Sequence, residues 1–381
     1  MAGQFTTVTN QGFFSRLMGS IVGFFIGPIL VIGAIVLLSW NEGRAVHALN
    51  GLSDASHALV EADATAVSPA NEGKLVHVAA QATASADIDD PDVGAKFTGQ
   101  VAVVRKAEMY EWKQTSHSTT HDKLGGGTET VTTYAYEKVW AGRAIDSSEF
   151  KHPEGHTNPP MPISGASWAA SDAKLGAFTL DADTLKLLTL ATPLTPDAPD
   201  GWTAAAGFLY KGQRSAPAIG DERTSYTGLA NGSTISVLAA QSHGGFGPYV
   251  TKNGYQIEMA QLGDQAAAAM LADQKKTERV ITWVLRGVGF VAMFIGFAMF
   301  FGPLSTFMAV VPLLGSIARG AAGLAALVIS IPLTLVVIAI AWIVFRPLLG
   351  IGLLVAAAAL LYGLGRLHRR RNPAPAIQAA A

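Results

Sequence analysis

Two apolar stretches, one near each end of the chain, decide what it can fold into. From Leu17 to Trp40 there is no charged side chain, and from Val280 to Gly365 charges are few. An α-helix needs about 20 apolar residues to cross a bilayer, so the first stretch is one span and the second has room for three. Trp40 stands where an interfacial aromatic belongs. The apolar core of the first stretch is longer than that of a cleaved signal peptide and is preceded by Arg16 alone, which favours a retained anchor.

Charge divides the chain in the same way. All 28 acidic residues lie between Glu42 and Glu278, together with 19 of the 27 Lys and Arg. The flanks hold no acid and eight arginines: Arg16, Arg286, Arg319, Arg346, Arg366, Arg369, Arg370 and Arg371. A net charge of −1 therefore hides an acidic soluble portion and a basic apolar one. With no cysteine in the chain, disulfides, thiolate metal sites and thiol catalysis are excluded.

The expected organisation is an α-helical membrane protein with a large β-rich (α+β) extracytoplasmic or lumenal domain. A cytoplasmic N-terminus covers 1–16, a first span 17–40 and the acidic domain 41–279. Further spans cover 280–301, 321–345 and 348–365, and a basic tail covers 366–381. Pro303, Pro312, Arg319 and Pro347 mark the breaks. The stretch 302–320 is too apolar for an ordinary loop and reads as an interfacial or re-entrant segment. The arginine cluster after Gly365 places the tail in the cytoplasm, and with four spans the acidic domain on the other side. Gly19, Gly23 and Gly27 share one helix face, where two helix backbones can approach closely. Their partner is either the chain's own later spans or a second copy.

Within the acidic domain, Glu42–Ala62 reads as a helix continuing from the membrane. Lys74–Ala80 alternates as a strand, and Gln100–Thr115 with Thr128–Gly142 reads as a long hairpin whose polar tip ends in Gly125-Gly126-Gly127. Asp181 is a suitable N-cap for a short helix. Strands follow near 206–210, 223–227, 233–240 and 255–261. Asp264–Glu278 reads as a helix entering the second span.

Several segments in this order resemble the LUMA family of transmembrane proteins. They are Asn41-Glu42-Gly43-Arg44, Asn71-Glu72-Gly73, Glu108–Trp112 with Tyr110 and Trp112, Tyr134–Trp140, Gly155–Pro159, and Phe345-Arg346-Pro347 between the last two spans. The resemblance implies a four-span, self-associating endomembrane protein without established enzymatic activity. In animals it implies the endoplasmic reticulum and inner nuclear membrane, and links to emerin and lamins. Alanine richness and the missing cysteine suit a bacterial inner membrane with the large domain periplasmic; in a eukaryotic cell the endoplasmic reticulum or nuclear envelope takes its place. The repeated Asn-Glu-Gly is either turn chemistry or a functional acidic pair, Glu42 and Glu72.

Chemistry is thinly signalled. His117 with His121 and His152 with His156 have four-residue spacing, but sit in segments that do not read as helical, so they are weak metal candidates. Asp87, Asp89, Asp90 and Asp92 lack the glycine and distal glutamate of a calcium loop and read as a solvated turn. No nucleophile elbow or phosphate loop is present, and an acidic domain repels nucleic acid. No cofactor is expected. The expected partners are the bilayer, a second copy and other membrane proteins. The function expected is a scaffold that organises membrane complexes. A lipid-binding or membrane-stress role, prompted by the apolar stretch Phe301–Gly315, is the alternative. A channel or transporter lacks the intramembrane polar residues it needs.

Overall fold

The computed structural model describes residues 4–310 and 312–347. The expected fourth span and basic tail lie outside the described residues. Contacts divide the chain into two compact units. A β-rich unit comprises 1–11, 50–121 and 128–276, and a membrane unit comprises 12–49, 122–127 and 277–381.

Six strands carry the β-rich unit: β1 (Gln4–Gln11), β2 (Leu75–Thr83), β3 (Gln100–Asp122), β4 (Thr128–Ala141), β5 (Glu222–Ala230) and β6 (Thr234–Ser242). One sheet runs β1–β4–β3–β5 and continues through Phe208–Lys211 and Thr203–Ala205. The other centres on the antiparallel pair β2–β6, with Val237 opposite Val78. Inward residues of both sheets, among them Val76, Val78, Val101, Val103, Tyr226, Ile235 and Val237, meet in one core with Phe97, Leu175 and Phe178. Along β5, buried residues such as Thr224 and Tyr226 alternate with partly buried ones, the period-2 pattern of a strand. Asp181 caps the short helix after it, accepting from the Thr184 N–H at 2.7 Å.

The hairpin is longer than its sequence suggests. β3 runs through the Ser/Thr/His-rich segment to Asp122, because hydroxyls pair across the strands, Ser118 with Thr132 at 2.9 Å and Thr120 with Thr130 at 3.0 Å. The N-terminus differs more. Residues 4–11 are not a free tail but pair antiparallel with β4, Phe5 opposite Tyr134 and Val8 opposite Val131.

Among the described residues, three helices are long and apolar enough to cross a membrane. They are α1 (Phe13–Ala58), α2 (Ala267–Phe300) and, after the short α3 (Gly302–Met308), α4 (Pro312–Phe345). The stretch 302–320 thus divides between α3 and the first turns of α4, which starts at Pro312 and not near 321. Proline at a first helical position costs nothing, since its missing N–H has no partner there anyway. Outside the membrane unit, Leu52 and Ala55 of α1 and Ala267, Met270 and Leu271 of α2 are buried with Leu75, Leu238 and Ile257 in a second apolar cluster of the β-rich unit.

Inside the membrane unit, α1 and α2 come together on glycine. A Cβ built on Gly27 would stand 2.5 Å from the Gly296 carbonyl oxygen, and one on Gly296 2.8 Å from that of Gly27. Gly23 faces Met299 at ordinary contact distance, whereas among the described residues nothing lies within 4 Å of a Cβ on Gly19. Two of the three glycines therefore serve packing within the chain. Ala34, Leu38, Met293 and Val337 bury the seam among the three helices.

Candidate functional site: a polar belt on the membrane helices

The first apolar run ends at Trp40, and the next four residues, Asn41-Glu42-Gly43-Arg44, are not a turn. They lie inside α1. Tertiary partners outweigh the local preference of Asn-x-Gly for a turn. Asn41 Nδ2 donates to the Thr282 carbonyl at 3.1 Å. Gly43 leaves room for the Phe345 ring, whose Cζ would be 2.8 Å from a Cβ there.

Glu42 is 1% exposed. Its carboxylate takes three donors: Arg286 Nε at 2.6 Å and Nη2 at 2.9 Å, and the Trp342 indole N–H at 2.8 Å. Glu42 is on α1, Arg286 on α2 and Trp342 on α4, so one side chain ties three helices. The Arg286 guanidinium lies 4.8 Å from the Trp283 ring centroid and 5.8 Å from that of Trp342. A turn along, Arg44 Nη1 meets Glu278 Oε2 at 2.5 Å, and Arg44 Nη2 reaches Thr282 Oγ1 at 3.3 Å. Arg286 is half of a buried pair with Glu42. The signal was available, because a lone acid and a lone arginine at the edges of two apolar runs need each other.

Beside these pairs lies a cavity of about 230 Å³. It is lined by Ala45 and Leu49 of α1, by Arg279, Thr282, Trp283 and Arg286 of α2 with Glu278, and by Trp342 of α4 with Arg346. The α2 residues recur at i, i+3, i+4 and i+7, one helix stripe.

A second charged cluster belongs to the same unit. Arg16 Nη1 donates to the Gly126 carbonyl at 2.6 Å, and Arg319 binds the Asp122 carboxylate. Arg319 holds the Asp122 carboxyl below its ordinary range. Arg16 and Glu42 are separated by 26 residues of α1, roughly 39 Å of helix, enough to bracket a bilayer's apolar core of about 30 Å.

The remaining candidates are in the β-rich unit. Asn71-Glu72-Gly73 is a turn, with Gly73 at φ +73°, and Glu72 accepts from the His243 N–H at 2.9 Å, which lowers its pKa. Glu42 and Glu72 therefore form no acidic pair within either unit. His117 and His121 are exposed on β3, about 13 Å apart along a strand. His152 and His156 join an aromatic cluster: His152 stacks on Phe5 at 4.4 Å, and His156 stacks on Tyr136 at 4.0 Å and meets the edge of Trp112. Among the described residues no three metal-ligating side chains come together. Tyr110 packs on Trp140, over which Arg223 lies at 4.5 Å.

The acidic run is not wholly solvated as its composition suggests. Asp90 is fully buried, bound to Arg105 Nη1 at 2.5 Å and to the Tyr226 hydroxyl at 2.9 Å. Burial pushes the Tyr226 phenol well above its usual range. Asp92 takes Arg105 Nη2 at 2.7 Å.

Three apolar helices joined by a polar belt, carrying a large β-rich unit, define a multi-span membrane protein. The profile of the Transmembrane protein 43 family matches residues 109–347. The chain is 29% identical to Transmembrane protein 43 of Rattus norvegicus over 360 residues, 90% of this chain and 89% of the rat protein. It is 28% identical to that of Homo sapiens over 389 residues, 98% and 96% of the two. The Transmembrane protein 43 homolog of Drosophila melanogaster is 28% identical over 344 residues, 87% and 91%. No solved structure matches. The chain belongs to the Transmembrane protein 43 family, the LUMA family that its motifs resemble.

Proposed function

We propose that this chain is a non-enzymatic, multi-pass membrane scaffold that self-associates and organises membrane protein complexes. The supporting observation is how the belt spends its charges. Both carboxylate oxygens of Glu42 are occupied by Arg286 and Trp342, and Glu278 is paired with Arg44. This arrangement holds helices together and leaves no poised acid or base. Self-association has room where small residues face no described neighbour: among the described residues nothing lies within 4 Å of a Cβ on Gly19, Gly320 or Gly323, and small residues suit close helix contact in lipid. Because the chain has no native cysteine, single-cysteine variants at these glycines report cleanly. Oxidation in native membranes is expected to give disulfide-linked dimers; a strictly monomeric species at all three sites overturns self-association.

The β-rich unit is assigned to the side away from the cytoplasm, on the strength of the arginine-rich tail. In a bacterial cell that side is the periplasm, in a eukaryotic one the lumen. An impermeant maleimide on intact cells is expected to label a cysteine at Gly232 and to spare one at Ala381; the reverse pattern inverts the orientation. A Val8→Cys/Val131→Cys pair is expected to form a disulfide, since β1 pairs with β4 there. Failure to crosslink removes β1 from the sheet.

A second reading, a lipid-handling membrane protein, is favoured by the cavity beside the belt.

A further inference from the structure

We infer that the belt cavity binds the phosphate of an anionic phospholipid headgroup, through Arg279 and Arg346. This gives the lipid-handling reading its ligand and rests on it. The argument begins with charge. Four arginines, Arg44, Arg279, Arg286 and Arg346, stand in or next to the cavity with two acids, Glu42 and Glu278. Glu42 is taken by Arg286 and Glu278 by Arg44. Arg279 and Arg346 have no ion pair among the described residues, so the cavity keeps two positive charges that its own acids do not neutralise. The guanidinium fork matches phosphate oxygens two at a time.

Position argues for a lipid as the source. Arg279 immediately precedes the apolar run of α2, and Arg346 immediately follows α4. Trp283 and Trp342 line the same space, and tryptophan at such a boundary sits at headgroup level. Size argues the same way. About 230 Å³ is below the roughly 300–1,000 Å³ of pockets that enclose a whole drug-sized ligand. A headgroup enters, and its acyl chains lie outside along the exposed apolar faces of Val280, Trp283 and Val284. Thr282 is already committed, since its hydroxyl donates to the Glu278 carbonyl at 2.7 Å, so the arginines carry recognition.

The test is native mass spectrometry of the full chain, purified from nanodiscs of equal parts phosphatidylglycerol and phosphatidylcholine. The wild-type chain is expected to retain phosphatidylglycerol preferentially. Arg279→Gln/Arg346→Gln should lower that preference about tenfold, and Arg279→Lys/Arg346→Lys should restore part of it. Arg143→Gln, an exposed arginine of the β-rich unit, should leave it unchanged. An unaltered thermal midpoint in the Gln variant shows that loss of lipid is not loss of fold. Equal preference in wild type and the Gln variant overturns the inference. Retention of phosphatidylcholine alone overturns it while sparing the lipid-handling reading, whereas retention of no lipid removes both. Adding millimolar inorganic phosphate separates the sources: resistance upholds the lipid headgroup, and displacement reassigns the site to a soluble phosphate-bearing ligand.

Discussion

Each unit buries an arginine–carboxylate network, and the two are built alike. In the β-rich unit the buried Arg105 holds Asp90 and Asp92, gives its Nε–H to the Ser164 carbonyl and lies over Trp168. In the membrane unit Arg286 holds Glu42 beside Trp283 and Trp342. The surroundings of the unfolded chain separate them. When the β-rich unit unfolds, its charges return to water, so the network must repay a full desolvation cost. A membrane helix that loses its partners stays in lipid, where its polar groups find headgroups or other helices, so each contact is worth less. Similar geometry should therefore have a smaller measured effect in the membrane unit.

The largest effect is expected from Asp90→Ala. It removes the buried partner of Arg105, leaving only the half-exposed Asp92 carboxylate, and removes the acceptor of the Tyr226 hydroxyl and of the Asp92 and Val93 amides. Breaking a buried pair from one side costs about 3–5 kcal/mol, readable as a fall in denaturation midpoint. Next comes Gly27→Ala. The added methyl meets backbone, not a yielding side chain, so α1 and α2 must part; overpacking of this kind costs about 1–3 kcal/mol. Gly19→Ala, facing open space, should be neutral in the same assay, and equal effects at both positions would dissolve the α1–α2 seam. Glu42→Ala, the counterpart of Asp90→Ala, is expected to cost about 1–2 kcal/mol. Adding Arg286→Leu should recover much of it. A Glu42→Ala loss as large as that of Asp90→Ala would break the comparison, and place the belt in water and not at a lipid boundary.

The parts legible in the sequence were those set by one strong local signal. Charge-poor apolar runs marked the helices, and alternation with Thr, Val and Tyr marked β3 to β6. Asp181 announced its cap. What stayed hidden depends on partners far along the chain. Asn41-Glu42-Gly43 has turn composition, and only Thr282, Arg286 and Phe345, more than 240 positions later, keep it helical. Asp90 sits in a run of acids that looks solvated until Arg105 and Tyr226 are brought against it. Gln4–Gln11 carries a strand's composition, but its partner β4 lies beyond a whole helix. The belt itself was half legible: Glu42, Arg44 and Arg346 stood out as motif residues, while Arg279, Thr282, Arg286 and Trp342 did not.

The smallest expected effect has the opposite sign. Glu111, in β3, is fully buried; its Oε2 accepts from the Ile145 N–H at 3.1 Å, and its Oε1 has no partner among the described residues. Burial raises its pKa above the ordinary 4.5. The folded state then holds this proton more tightly than the unfolded state. Its contribution to stability is full below 4.5 and is lost as pH rises through the raised value. Glu111→Gln keeps an acceptor for Ile145 and replaces a buried charge with a neutral amide, which costs less to desolvate. The variant should therefore unfold at a slightly higher temperature than wild type near pH 8, and the gap should close on acidification toward pH 4. Where Asp90 and Glu42 are carboxylates that the fold depends on, Glu111 is one that it tolerates, and partners alone make the difference. A Gln variant less stable than wild type at pH 8 would mean that the unpartnered oxygen has a cation or donor in solution, and would move Glu111 into the class of Asp90.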